Sequence, residues 1–179
     1  MKFVIASDLH GAAPAVHALM ERIDQETPDR VLLLGDLLYH GPRNDLPEGY
    51  APKEVLTTLN GIAERIVAVR GNCDAEVDQM MLEFPCMGDY ALVLAYGMRL
   101  FCTHGHVFGS GLHNSVNNMP KLPKGSAFLF GHTHIKVNER DAHHSGVWLF
   151  NPGSVAIPKD GSHSFGIFDG KTFTHRILL

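Results

Sequence analysis

Five short segments of this 179-residue chain combine oxygen or imidazole donors with glycine: Asp8-Leu9-His10-Gly11, Gly35-Asp36, Gly71-Asn72-Cys73-Asp74, Thr103-His104-Gly105-His106 and Gly131-His132-Thr133-His134. Taken singly, each has an ordinary explanation, because Asp commonly caps helices and a lone His is usually a hydrogen-bonded surface or core residue. Together they offer Asp8, His10, Asp36, Asn72, His104, His132 and His134 as ligands. Neutral imidazole is the commonest metal ligand, and a catalytic zinc typically takes three protein ligands, so this donor set exceeds one such ion. It suits two divalent cations, with a carboxylate such as Asp36 shared between them at ~3.5–4 Å, the spacing that clamps both oxygens of an in-line displacement. Two divalent ions, two aspartates and one bridging hydroxide leave a net charge of about +1, which matches a phosphodiester monoanion. Oxygen and imidazole without thiolate suit manganese, iron, cobalt, nickel or zinc, and intrinsic affinity does not choose among them.

Each segment follows an apolar run that reads as a strand. Phe3 to Ala6, Val31 to Leu34 and Ile66 to Val69 are continuous and apolar, as strands buried on both faces are. Between them lie helical patterns: Val16, Leu19, Met20 and Ile23 after Pro14, then Val55, Leu56, Leu59 and Ile62 after Pro52. Strand and helix in alternation predict right-handed crossovers and a parallel sheet whose ligands sit beyond the carboxyl ends of the strands. Asp74 reads as the N-cap of a short helix carrying Val77, Met80 and Met81. The second half reads as strands at 91–95, 99–103, 127–130, 147–150, 165–168 and 173–177, joined mostly antiparallel, with Asp169-Gly170 as a hairpin turn. The expected fold is α/β: two mixed sheets packed as a sandwich with flanking helices, four layers in one domain over 1–179.

Composition narrows the classes. Hydrophobic residues are 45% and charged residues 19%, enough to bury a core and too apolar for disorder. The net charge of −4 lacks the basic footprint of a duplex nucleic-acid binder but leaves a small phosphorylated substrate open. Cys73, Cys86 and Cys102 are odd in number and lack zinc-type spacing, which points to a reducing compartment. Too few apolar residues precede Asp8 for a signal peptide, and no run approaches the ~18 residues of a membrane span, so we expect a cytoplasmic protein. The 12 His nearly match the 15 Lys plus Arg. Beyond the four metal candidates, His40 and His106 fall near the site, while His17, His113, His143, His144, His163 and His175 read as surface residues.

The motif series, with Leu34-Gly35-Asp36, His40-Gly41-Pro42-Arg43-Asn44, Val69-Arg70-Gly71-Asn72-Cys73-Asp74 and Asn151-Pro152-Gly153-Ser154, resembles the calcineurin-like metallophosphoesterase superfamily and, within it, small bacterial YfcE-type phosphodiesterases. The resemblance runs from Lys2 to about Pro158. It implies a two-sheet sandwich, with Asp8, His10, Asp36 and His134 on one metal and Asp36, Asn72, His104 and His132 on the other. It also implies hydrolysis of a small phosphodiester by in-line attack of a metal-bridging hydroxide, with Asp36, Asn72 and His104 at the catalytic centre and two cations, manganese foremost. Many phosphatases of the superfamily place His after the ligand Asn, as general acid or phosphate contact; here that residue is Cys73. The departure implies diesters with good leaving groups, or protonation by His106, His40 or water.

Arg43 and Asn44, in the Gly/Pro-rich loop after Asp36, are candidates to steady the phosphoryl oxygens, with Cys73 and His106 as further substrate contacts. The Asn151 segment reads as a strand-to-turn junction, though Asn151 can also orient a ligand loop. Residues 108–124 read either as a mobile rim or as a plain surface connection. Tyr50, Met80 and Met81 are candidates for a patch that joins copies into a homo-oligomer. The alternatives to a phosphodiesterase are a phosphomonoesterase of the same superfamily and a non-catalytic scaffold of the same fold.

Overall fold

In the strand Phe3–Ala6 (β1), Phe3 and Ile5 face one way and Val4 and Ala6 the other, and all four are buried. Side chains alternate along a strand, so both faces of β1 must be covered. The computed structural model, which describes residues 1–141 and 146–178, shows by what. Val4 and Ala6 share a core with Val16, Leu19 and Ile23 of the helix Ala13–Glu26 (α1) and with Val55 and Leu59 of the helix Pro52–Asn60 (α2). Phe3 and Ile5 share a second core with Leu100, Cys102, Ala127, Leu129 and Phe150, which belong to another sheet.

The first sheet runs β1 beside Arg30–Leu33 (β2) and then Ile66–Ala68 (β3), all parallel. The helix Glu76–Met81 (α3) follows β3. The second sheet holds Tyr90–Ala95 (β4), Met98–Thr103 (β5), Ala127–Leu129 (β6), Val137–Arg140 (β7) and Trp148–Asn151 (β8) in the order β4-β5-β6-β8-β7. The chain then returns: Ser164–Phe168 (β9) pairs antiparallel with β1, and Phe173–Ile177 (β10) forms the edge of the first sheet. Phe150, Phe168 and Phe173 close the core between the two sheets.

Two mixed sheets packed face to face match the expectation, but several details differ. The second half pairs mostly antiparallel, as expected, yet β5, β6 and β8 run parallel to one another in the middle of the second sheet. Strand β7 carries a single buried residue, Val137, and therefore offered no apolar run to read. The outer face of the second sheet is covered by the 108–122 segment, whose Phe108, Leu112, Met119 and Leu122 pack on Phe101, Phe128 and Phe130. That segment is therefore more than a plain surface connection, and its His113 and Asn114 reach the cavity described below. Met20 and Ile62 only fringe the first core, and Ile62 lies beyond the end of α2.

In α3 the N-cap is Ala75, not Asp74, and Val77, Met80 and Met81 are exposed. His175 stacks on Phe150 at 4.8 Å, and His163 Nδ1 bonds the Val155 carbonyl, so neither is a free surface residue. His17 is exposed and pairs with Glu54. His143 and His144 lie outside the described residues. Among the described residues no helix is long and apolar enough to cross a membrane.

Candidate active site

The carboxyl ends of β1, β2 and β3 in one sheet and of β5 and β6 in the other meet along one edge of the sandwich. Backbone hydrogen bonds zip the loops there: Asp8 N–H to Gly35 O (3.1 Å), His10 N–H to Asp36 O (2.9 Å), and Gly131 N–H to His104 O (2.8 Å). Two more bonds cross between the sheets, from His104 Nδ1 to Leu34 O (2.6 Å) and from His132 N–H to Asp8 Oδ2 (3.1 Å).

This crowding demands glycine where the strands finish. A Cβ on Gly71 would run into Asp36, and one on Gly131 would run into Ser7 and Asp8. It also holds donors in strained conformations. Asp8 (φ 57°), His10 (45°), Asp36 (56°), His132 (69°) and His134 (58°) are five of the nine non-glycine residues described with positive φ. Such backbone costs about 1–2 kcal/mol per residue and persists only where the surroundings over-determine it, as they do at functional sites.

At the centre, Asp8 Oδ1 lies 3.2 Å from His134 Nε2, 3.8 Å from His10 Nε2 and 3.9 Å from His104 Nε2. Asp36 Oδ2 lies 3.4 Å from His104 Nε2 and 3.7 Å from His10 Nε2. His10 and His134 turn their Nε2 atoms toward each other at 3.4 Å, and Asn72 Oδ1 is 3.2 Å from His104 Nε2. Each of these three His donates its Nδ1–H to a backbone carbonyl, of Tyr39, Leu34 and Ile157, which fixes the ring and aims Nε2 inward.

Among the described residues the buried Asp8 Oδ1 has no hydrogen-bond partner. A buried carboxylate oxygen without one is costly, and nitrogen lone pairs aimed at it from three sides are what a divalent cation would satisfy. Asp8, His10 and His134, and likewise Asp8, Asp36 and His104, group tightly enough to hold an ion. His132 stands at the edge of this cluster, its ring 5.1 Å from that of His104.

Electrostatics follow from this packing. Burial raises the Asp8 carboxyl, but His134, His104 and His10 outweigh it and hold the group well below the usual carboxylate range. Burial lowers His104, but Asp36 and Asp8 outweigh it and lift the imidazole to about 9. His132 and His106 go down to about 4, through burial and the neighbouring His104. The Cys73 thiol is pushed far up by burial and by Asp36, so it is a thiol rather than a thiolate at neutral pH.

The calcineurin-like phosphoesterase superfamily domain matches residues 1–172. The chain belongs to that superfamily. Phosphodiesterase YfcE of Escherichia coli K12 is 46% identical over 170 residues, covering 94% of this chain and 88% of that protein. The solved structure of YfcE, a phosphoesterase from E. coli, superposes with a TM-score of 0.90 at 41% identity, covering 100% of both chains. A novel archaeal phosphodiesterase (TM-score 0.69, 24% identity, 99% of this chain and 100% of that one) shares the fold. So does vacuolar protein sorting 29 of Cryptosporidium parvum (TM-score 0.60, 18% identity, 98% and 97%).

For a calcineurin-like phosphoesterase the space in front of the donors matters as much as the donors. A cavity of about 370 Å³ opens there, lined by Asp36, Asn72, Cys73, His132 and His134 together with Arg43 and Asn44. His106 is not on its wall; its ring packs against His104 at 5.3 Å, with a buried Nδ1 that makes no hydrogen bond. His40 is also off the wall, edge-on to Tyr39 and Tyr50.

His113, expected to be a surface residue only, lines the cavity together with Asn114 and Lys159, which the sequence did not mark as site residues. His113 and Asn114 have positive φ, at 48° and 70°, and the adjacent Gly111-Leu112-His113-Asn114 run was the only local hint of a tight turn.

Residues behind the donors prove as telling. Asp74 is buried and accepts the N–H groups of Asp36 (2.9 Å), Leu37 (2.8 Å) and Gly71 (2.7 Å), so it fastens the β2 loop to the β3 loop instead of capping α3. The cap reading failed because two of those donors, Asp36 and Leu37, lie on the neighbouring strand's loop. Asn151 donates to Gly131 O (2.9 Å) and Thr133 Oγ1 (3.1 Å), and Ser154 Oγ donates to Asp8 O (3.0 Å). The Asn-Pro-Gly-Ser run is therefore a turn whose side chains brace two donor loops.

Proposed function

We propose that this chain is a metal-dependent phosphodiesterase acting on small phosphodiesters. The observation that carries the reading is the buried Asp8 Oδ1, free of hydrogen bonds and faced by the Nε2 atoms of His134, His10 and His104. Membership of the superfamily and 46% identity to phosphodiesterase YfcE support it. Asp8, His10, Asp36 and His134 would hold one cation, and Asp36, Asn72, His104 and His132 the other, with Asp36 shared. When bound, the metals neutralise the phosphoryl oxygens and acidify the attacking water. Manganese is our assignment, chosen from a donor set that iron, cobalt, nickel and zinc also suit.

The chain's own groups do the rest. The Nδ1 bonds hold three imidazoles in one tautomer, and the Cys73 N–H bond to Asp36 Oδ1 (2.8 Å) leaves Oδ2 facing the cluster. Cys73 sits where a histidine would serve a monoesterase and keeps its proton, which favours diesters that leave without a strong acid. His106, neutral at pH 7 and off the cavity wall, is a poor substitute acid. We place the protein in the cytoplasm from its three free cysteines, and we read exposed Met80 and Met81 as part of a contact between copies.

The decisive assay is release of nitrophenol from bis(p-nitrophenyl) phosphate with added Mn²⁺. Wild-type protein is expected to turn it over, to lose that activity on exhaustive chelation and to regain it with metal; a scaffold would leave the diester intact, and undiminished activity after chelation would sink the metal reading.

The raised His104 makes a second prediction. Metal-free protein carries a proton on this ring at neutral pH, because its value is about 9. A metal ligand must be deprotonated, so Mn²⁺ loading should release protons below that value, and apparent affinity should rise with pH up to it. Titration calorimetry in two buffers of different ionisation enthalpy measures the release; none at pH 7 would show that the carboxylates do not hold a proton on His104 in the metal-free protein.

Arg43→Ala tests the substrate wall. Losing a charge-assisted hydrogen bond costs about 1.5–3 kcal/mol, so KM for the diester should rise roughly 10-fold or more. An unchanged KM and kcat would make Arg43 a solvated loop charge.

A further inference from the structure

Beside the metal cavity lies a second hollow of about 340 Å³ with apolar walls, and Cys73 lines both. Leu38, Tyr39, Tyr50, Leu56 and Val77 form much of it, and only Lys53 and Asp78 bring charge. Resting on the phosphodiesterase reading above, we propose that this groove is a substrate subsite that takes a planar aromatic ring esterified to the phosphate held next door. Three observations carry it.

The groove adjoins the reaction cavity, since the half-buried Cys73 side chain is a wall of each. It is also tied to the donors: the Tyr39 carbonyl accepts the Nδ1–H of His10, while Tyr50 is pinned by a β-bridge to Ala12 and by the Ala51 N–H bond to Gly11 O (2.8 Å). The walls are therefore built by the same loops that set the catalytic geometry. Finally, the apolar residues of α3 have no core to fill. The helix has no buried residue and Val77 is 61% exposed, yet Val77 forms part of the groove wall together with Tyr39, which is 42% exposed. Apolar and aromatic walls with few charges suit a ring and offer nothing to a second phosphate.

The test compares phenylphosphonate with methylphosphonate on the full chain loaded with Mn²⁺, by calorimetry. The two probes present the same phosphonate group and differ in its substituent, a ring or a methyl, and are compared at a pH where both are dianions. Phenylphosphonate is expected to bind about 10-fold or more tighter, a factor typical of apolar contacts in a pocket. Tyr39→Ala and Val77→Asp should bring the ratio to within about twofold, while Met80→Asp, on the same helix but off the groove wall, should keep it.

No preference for the ring in the wild type, or a preference that survives both groove variants, overturns the proposal. So does a Val77→Asp protein that sediments at a lower mass with its ratio intact, because a second copy would then be the occupant. Bis(p-nitrophenyl) phosphate is assayed on the same wild-type samples. Turnover without ring preference defeats the groove alone, whereas ring preference without turnover defeats the phosphodiesterase reading alone.

Discussion

Asp36→Asn is expected to lower diester turnover by about 10³-fold or more, beyond the roughly 10–100-fold that follows loss of a group merely supporting a ligand. The two oxygens of Asp36 have separate duties: Oδ1 accepts the Cys73 N–H, and Oδ2 faces His104 and His10 at 3.4 and 3.7 Å. In asparagine the carbonyl oxygen would stay on the Cys73 N–H, which turns an uncharged NH₂ toward the cluster. The site would lose an anionic donor shared by both proposed ion positions and gain two N–H groups pointing at a cation. Metal content measured by mass spectrometry should fall together with activity. Full metal content with lost activity would instead make Asp36 a residue of the reaction alone, and full activity would remove it from the site.

Asp74→Ala should be the most destabilising change near the site, although Asp74 touches neither cavity nor cation. Its carboxylate accepts three backbone N–H groups. Removing it strands those donors in a buried setting, where each costs about 1–3 kcal/mol. A total of roughly 3 kcal/mol or more in a protein of this size lowers Tm by about 6–12 °C. Because two of the three donors belong to Asp36 and Leu37, the Asp36 loop should also shift, so turnover should fall about 10–100-fold in the folded fraction.

Asparagine cannot rescue the site fully. Asp36 and Gly71 bond one oxygen and Leu37 the other, so in either orientation an NH₂ must confront an N–H. Thermal melts and steady-state assays on both variants check the ranking; an Asp74→Ala protein with wild-type Tm would mean that those N–H groups find other partners.

Much of the donor set was legible because it is written locally. An apolar run marks a buried strand, a glycine marks where it must turn sharply, and an Asp or His next to that glycine stands at the strand's end whatever the rest of the chain does. His10, Asp36 and His104 follow this rule, Asp8 and His134 stand three residues from such a glycine, and all five come together. Arg43 and Asn44 were readable for a similar reason: the Gly/Pro-rich loop starts at a donor and has little room to stray from it. Strand β7 broke the rule, since one buried residue in four leaves no apolar run.

Residues whose work depends on distant partners were not legible. Asp74 looks like a cap because an Asp before a short helix usually is one; two of its three actual partners, Asp36 and Leu37, are 38 and 37 residues away. Ser154 braces Asp8 across 146 residues, and no periodicity encodes such a pairing. His113 and Lys159 reach the cavity because β9 and β10 return to the first sheet and the 108–122 segment folds onto the second. By itself, then, the sequence determined which side chains could bind metal and that they end buried strands, since residue type and apolar run length are properties of single segments. The tertiary structure decided which donors face one another, what braces them and which apolar groove adjoins them, because those depend on how two sheets place segments far apart in the chain against each other.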